Sequence, residues 1–172
     1  ETMATTNEDF KKMLDTYYQD GLKLNPLSAT YAGDNRFNNK MPNYLAPEYK
    51  AKVKAYYTNY KNILNTYKDE DLNESEKLSK ATLNWDIDIN LANLTFKKDL
   101  MPIDQMWSLH LSIGQLASGS GAQPFNTVED YNNWLQRTDG YLQWLASAES
   151  NMRKGIKSGH VLPRSLIVKI IP

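Results

Sequence analysis

The chain has 172 residues, the length of one ordinary domain, and its 20 Lys and Arg residues balance its 20 Asp and Glu residues. A chain without net charge has no global field that attracts nucleic acid, so we expect no nucleic-acid partner. It contains no cysteine, which excludes disulfides, thiolate nucleophiles and cysteine-ligated zinc. The longest apolar run, LIVKII near the C-terminus, is far shorter than the roughly 20 residues of a membrane-spanning helix, so we expect no transmembrane segment.

The first quarter of the chain has a helical hydrophobic period. Thr6 and Asp9 are spaced as a capping pair, and the dipeptide Asn25-Pro26 is a stop signal, which together predict a first helix. The apolar stripe of this helix consists of Phe10, Met13, Leu14, Tyr17, Tyr18, Gly21 and Leu22. Pro26 then suits the first turn of a short helix that Gly33 terminates.

The next segment predicts a loop and two long helices. Residues 34–46 are rich in Asn and Pro, which is typical of an irregular connection. Pro47 begins a helix with a broad tyrosine-rich face that runs to about Lys68. Glu74 and Glu76 occupy the first turn of the following helix, where negative charge is favoured by the helix dipole. This helix ends near the sequence KKDLMP.

Pro102 predicts the start of another helix, because proline is favoured in the first helical turn. Residues 118–126 are too rich in Gly and Ser to continue it, and we expect an irregular loop there. Thr127 and Asp130 form a second capping pair at the head of a long helix.

Glycine and proline also mark the end of the chain. Gly140 predicts a bend or a division of the long helix. Gly159 is placed as its left-handed terminator, and Pro163 as the first residue of the next helix. The stretch SGHVLPR is therefore a helix-to-helix connector, and His160 within it is interpreted as a linker residue rather than a catalytic group.

No segment has the period-two alternation of a long strand. The sequence therefore predicts an all-α fold, a multi-helix bundle of orthogonal or up-down type, in a single helical domain over residues 1–172. The chain does not begin with Met and stops within SLIVKIIP, so we expect a trimmed fragment of a longer parent chain.

Motifs for catalysis and metal binding are missing from the sequence. His110 and His160 are fifty positions apart with no His-Glu-x-x-His pattern, so we expect neither a metal site nor a catalytic residue in this chain. There is also no Gly-x-Ser-x-Gly elbow and no phosphate-binding Gly-x-x-x-x-Gly-Lys loop.

Two other residue classes allow more than one interpretation. Five cations follow Glu149 with no acid between them: Arg153, Lys154, Lys157, Arg164 and Lys169. A solvated helix end favoured by the dipole is the simpler explanation for them, and an anionic ligand is the alternative. Trp85, Trp134 and Trp144 lie at helical spacing and are expected in the core.

Three stretches, in this order and separation, carry a family resemblance. They are FKKMLDTYYQDGLKLNPLSATYAGDNRFNNKMPNY, QPFNTVEDYNNWLQR and NMRKGIKSGHVLPRSLI. Over nearly the whole chain, the sequence resembles the N-terminal portion of the bacterial family called domain of unknown function 885.

That resemblance implies a mostly helical, zincin-like metallopeptidase, often exported and often a lipoprotein of the cell envelope. The location implied is extracytoplasmic, in the periplasm or at the envelope. The family's zinc-binding segment, His-Glu-x-x-x-Gly-His, lies in the C-terminal half. No position of these 172 residues matches it, so no catalytic or metal residue is carried over, and zinc is expected only in the missing half of the parent.

We therefore expect a non-catalytic N-terminal lobe that forms part of a peptide-binding cleft, with the C-terminal half of the parent and a peptide substrate as partners. Trp107, His110 and Arg164 are the candidate contacts of its wall. The alternative is a freestanding binding module for a glycan or a protein partner, and a third hypothesis is a purely structural domain. A lobe predicts a large apolar face on the final helices, and a binding module predicts a concave aromatic groove.

Overall fold

The computed structural model describes residues 7–106 and 108–170, and all regular secondary structure in these ranges is helical, which confirms the all-α prediction. The α-helices are α1 Glu8–Leu24, α2 Pro26–Tyr31, α3 Pro47–Leu64, α4 Glu74–Asn93, α5 Leu109–Ala117, α6 Val128–Ser158 and α7 Arg164–Ile167. Short 3-10 helices at Asn35–Phe37, Asp69–Asp71 and Lys98–Leu100 lie in the connections.

The chain forms two compact units. Unit 1 consists of Glu1–Leu24 and Lys50–Phe96, and unit 2 of Asn25–Tyr49 and Lys97–Pro172. Unit 1 contains α1, α4 and most of α3, whereas unit 2 contains α2, α5, α6 and α7. A single helical domain over residues 1–172 stays a prediction.

The core of unit 1 is formed where α1, α3 and α4 bury one face each. Its buried residues are Phe10, Met13, Tyr60, Leu64, Leu72, Leu83 and Ile87. The predicted cap residue Thr6 lies outside the described residues, and the Asn7 side chain accepts a hydrogen bond from the Phe10 N–H at 3.0 Å. The buried Glu76 carboxylate joins α1 to α4, because it accepts from the N–H groups of Asn7 at 2.7 Å and of Asn73 at 3.0 Å.

Trp85 is the main error in the predicted core, since 65% of this residue is exposed. The buried apolar residues of α4 are Leu83 and Ile87, one turn apart on a single face. Trp85 is two positions from each of them and therefore points about 200° around the helix, away from that face. Trp144 is buried in unit 2 as predicted, and Trp134 is half-buried against the same core.

The core of unit 2 collects side chains around the middle of α6. Its buried residues are Leu27, Met41, Ile113, Leu116, Trp144 and Ala148. Gly140 does not divide the long helix, because α6 is continuous over 31 residues, and the predicted bend stays a prediction. Gly140 instead allows a close approach of two backbones, since an added Cβ would lie 2.3 Å from the Met41 carbonyl oxygen.

A single buried guanidinium holds both predicted loops on α6. Arg137 is fully buried and donates to the carbonyl oxygens of Phe37 at 2.8 Å and Lys40 at 3.2 Å, and to Gln123 Oε1 at 2.6 Å. Burial lowers the pKa of Arg137 to about 10, so the group remains charged at neutral pH. Residues 34–46 and 118–126 are thus irregular, as predicted, but are fixed to the helix by backbone and side-chain acceptors.

The predicted helix start at Pro102 is wrong, because α5 begins at Leu109. The side chain of Asp104 accepts a hydrogen bond from the Met106 N–H at 2.7 Å, and the Ser108 hydroxyl donates to the Asp104 carbonyl at 3.0 Å. Such local bonds from Asp and Ser give the backbone an alternative to a helix. Residues 101–106 are therefore non-helical.

Candidate functional site

The connector between α6 and α7 forms one side of the candidate site. The His160 N–H donates to the Gly155 carbonyl at 2.9 Å, and the Gly159 N–H donates to the Ile156 carbonyl at 3.4 Å. These two bonds form a Schellman motif, which requires the left-handed φ of 76° that Gly159 adopts. The predicted role of Gly159 as a helix terminator is confirmed.

Gly155 brings a second segment against the same end of α6. An added Cβ at this position would lie 2.7 Å from the His160 carbonyl oxygen and 2.8 Å from the Leu100 carbonyl oxygen. The connector and the 3-10 turn at Lys98–Leu100 can approach this closely only because the helix presents a glycine.

These segments enclose an apolar groove in unit 2, with a volume of about 410 Å³. Its described lining residues are Leu100, Met101, Ile103, Met152, Ile156, His160, Val161, Leu162, Ile167 and Ile170. We call this surface the aliphatic groove, because every described lining residue except His160 is an aliphatic or methionine residue.

The aliphatic groove is not closed by the described part of the chain. Ile156 is 69% exposed, Val161 52% and Ile167 39%. Isolated exposed apolar residues are common, but several that converge on one concavity are typical of an interaction surface.

Basic residues are neighbours in sequence of several residues that line the groove. Lys157 follows the lining residue Ile156, Arg164 lies between the lining residues Leu162 and Ile167, and Lys169 precedes Ile170. Arg153 is occupied by Glu149, with their side chains 2.7 Å apart. Within residues 7–106 and 108–170, none of Lys157, Arg164 and Lys169 has an acidic partner.

His160 is half-buried at the groove, and its ring is held by a neighbouring residue. Its Nδ1 lies 3.2 Å from the Ser158 carbonyl oxygen and 3.1 Å from the Ser158 hydroxyl. A carbonyl can only accept, so this contact is a hydrogen bond in the tautomer that carries its proton on Nδ1.

Two of the three candidate wall residues, His110 and Arg164, lie within the described residues. Trp107 lies outside the described residues. His110 is half-buried in the first turn of α5, and its Nδ1 is hydrogen-bonded to the Ser108 hydroxyl at 2.5 Å. Arg164 is exposed at the start of α7, two positions after the lining residue Leu162, and neither Arg164 nor His110 is among the described lining residues.

Sequence reasoning missed most of the groove. A helix end near KKDLMP and a helix start at Pro102 were predicted over residues 100–103, so a non-helical wall of the groove was not expected there. One signal for the groove was present in the sequence: after Glu149, aliphatic residues and cations follow one another without any acid. The simpler explanation interpreted these cations as a solvated helix end.

A second, wide depression of about 490 Å³ lies in unit 1. Its polar groups are already used: Tyr17 donates to Asp86 Oδ2 at 2.9 Å, and the hydroxyls of Ser79 and Thr82 donate to carbonyls of their own helix at 3.0 and 2.9 Å. Burial, together with the bond to Asp86, raises the pKa of Tyr17 well above its usual value and keeps the phenol neutral. This depression offers few free groups for chemistry.

Two further structural properties bear on function. Within residues 7–106 and 108–170, no three His, Cys, Asp or Glu side chains are grouped so that they could hold a metal ion. None of the helices in the described ranges combines the length and apolar character needed to cross a membrane.

A comparison with protein families identifies the chain. Residues 26–172 match the family described as "Bacterial protein of unknown function (DUF885)". The chain belongs to this family. The DUF885 match covers the helices α2 to α7, including the whole of the aliphatic groove. Searches of curated proteins and of solved structures gave no significant match.

Proposed function

We propose that this DUF885 chain is a non-catalytic helical lobe of a zincin-like metallopeptidase and contributes one wall of a peptide-binding cleft. The observation that supports the proposal is the aliphatic groove. It lies on the last helices and is open on one side, which is the feature expected of a lobe that packs against another part of its protein. The described lining residues include no Phe, Tyr or Trp, so the aromatic groove expected of a freestanding binding module is not favoured.

Zinc is assigned to the remainder of the protein. The donor groups of the described residues do not fit a zinc ion, because a catalytic zinc site needs three protein ligands that converge and no such set exists in these ranges. The proposal therefore gives this chain a role in binding and in shaping the cleft. Trp107, His110 and Arg164 remain the candidate wall contacts, and an extracytoplasmic location is part of the same proposal.

The complete gene provides the test. Translation beyond codon 172 is expected to continue and to encode His-Glu-x-x-x-Gly-His. The complete gene product is expected to bind one zinc ion and to cleave peptides, and this chain alone is expected to do neither. A stop codon after codon 172, or stoichiometric zinc binding by this chain, would contradict the proposal.

A further inference from the structure

The chemistry of the aliphatic groove restricts what can cover it. Its described lining provides methyl, methylene and thioether groups, with the His160 ring as the one polar side chain. Sugars and nucleobases stack best on the large rings of Phe, Tyr and Trp, and none of these is among the described lining residues. This surface therefore binds aliphatic side chains of a partner most favourably, because the contact removes apolar area on both sides from water.

The basic residues next to the lining in sequence add a charge preference. Residues 150–170 contain five Lys and Arg residues and no Asp or Glu, although the whole chain is neutral. Glu149 neutralises Arg153, but Lys157, Arg164 and Lys169 have no acidic partner within the described residues. Complementary charge across an interface selects the partner and speeds its association.

The shape of the groove favours a helical partner. Met152 and Ile156 are one turn apart on α6, so they form a ridge of the kind that helices pack against. An amphipathic helix binds such a groove through residues at i and i+4, with its polar residues at the edges.

We propose that the aliphatic groove is the docking site of an amphipathic polypeptide segment whose aliphatic residues fill the groove and whose Asp or Glu residues face Lys157, Arg164 and Lys169. This inference rests on the proposed function, under which the segment belongs to the C-terminal half of the same protein.

Binding of designed peptides to this chain tests the inference. The probe is a fluorescently labelled helical peptide of about 15 residues, with Leu at i and i+4 positions and Glu on both flanks. Fluorescence anisotropy is expected to show saturable binding that weakens as NaCl is raised from about 50 mM to about 500 mM. The same peptide with Lys in place of Glu is expected to bind at least about tenfold more weakly.

Two substitutions locate the binding site, and each has a matched control. Ile156→Glu places a charge in the groove, while Val128→Glu makes the same change at a 79% exposed position at the other end of α6. Arg164→Glu reverses an exposed charge between the lining residues Leu162 and Ile167, while Lys52→Glu reverses an exposed charge in unit 1. The first member of each pair is expected to weaken binding of the acidic peptide about tenfold or more, and the second to leave it unchanged.

Three results would overturn the inference. The first is equal affinity for the acidic and basic peptides, and the second is binding that neither Ile156→Glu nor Arg164→Glu reduces. The third is binding of dodecanoate or of phosphatidylglycerol-containing vesicles that both substitutions weaken, together with no binding of the acidic peptide. None of these results changes the zinc content or peptidase activity expected of the complete gene product, so failure here is distinguishable from failure of the proposed function.

Discussion

Replacement of Gly140 by alanine tests the observed packing of α6 directly. A Cβ at this position would lie 2.3 Å from the Met41 carbonyl oxygen and 2.9 Å from the Met41 Cβ, so the backbone near Met41 has to move. Overpacking of this kind costs about 1–3 kcal/mol, and a backbone clash belongs at the upper end. Alanine recovers about 1 kcal/mol of helix propensity, which leaves a net loss of about 2 kcal/mol in the free energy of unfolding. For a chain of this size, that loss lowers Tm by about 4–8 °C.

Gly114→Ala is the matched control, because Gly114 lies within α5 of the same unit and an added Cβ would have no neighbour within 4 Å. Only the propensity gain applies there, so the free energy of unfolding is expected to rise by about 0.5–1 kcal/mol. Urea unfolding followed by circular dichroism measures both changes. The reasoning is refuted if Gly140→Ala is as stable as Gly114→Ala.

Three further predictions concern other buried groups. Arg137→Lys is expected to lose about 2 kcal/mol or more of stability in urea unfolding, because an ammonium cannot satisfy three acceptors arranged around a planar guanidinium; an unchanged midpoint would contradict this. Burial raises the pKa of Tyr44 to about 12 and that of Tyr56 further, whereas unfolded phenols ionise near pH 10. The unfolded chain therefore loses these protons first as the pH rises. The contribution of the two phenols to the free energy of unfolding is fully present below pH 10 and is expected to fall as the pH rises from about 10 toward 12. Urea unfolding at several pH values measures this, and a flat profile would argue against these buried phenols. Single-tryptophan variants that retain only Trp85 or only Trp144 are expected to differ severalfold in acrylamide quenching, with Trp85 the more accessible, and equal quenching would show that the register of α4 is wrong.

Local signals in the sequence were sufficient for most helix ends. Thr127 and Asp130 form the predicted capping box, and Gly159 adopts the predicted left-handed conformation. Both features depend on residues within one turn of each other, so a single stretch of sequence determines them. The all-α fold follows from the same kind of local pattern.

Features that depend on distant residues were not accessible in this way. In the sequence, Gly140 looks only like a helix-breaking residue. Its actual role depends on packing against Met41, which is about a hundred positions earlier in the chain. Trp85 satisfies an approximate helical period, but the face that unit 1 buries is defined by Leu83 and Ile87. No helix begins at Pro102, because the Asp104 side chain bonds the backbone locally. Helix propensity alone does not take such a bond into account.

The candidate site was predictable only in part. The connector between α6 and α7 and the surrounding cations were recognised, but the aliphatic groove was not. The groove depends on Gly155, which lets the turn at Lys98–Leu100 lie against α6. Such a contact between segments more than fifty positions apart leaves no periodic signal in either of them.

Amide hydrogen exchange gives the most direct test of the docking surface. The exchange of residues 100–103 and 152–170 is to be compared between this chain and the complete gene product. If another part of the protein covers the aliphatic groove, these amides exchange more slowly in the complete gene product, while those of the exposed face of α4 around Trp85 are unchanged. Identical exchange at residues 152–170 in the two proteins would contradict the proposed docking.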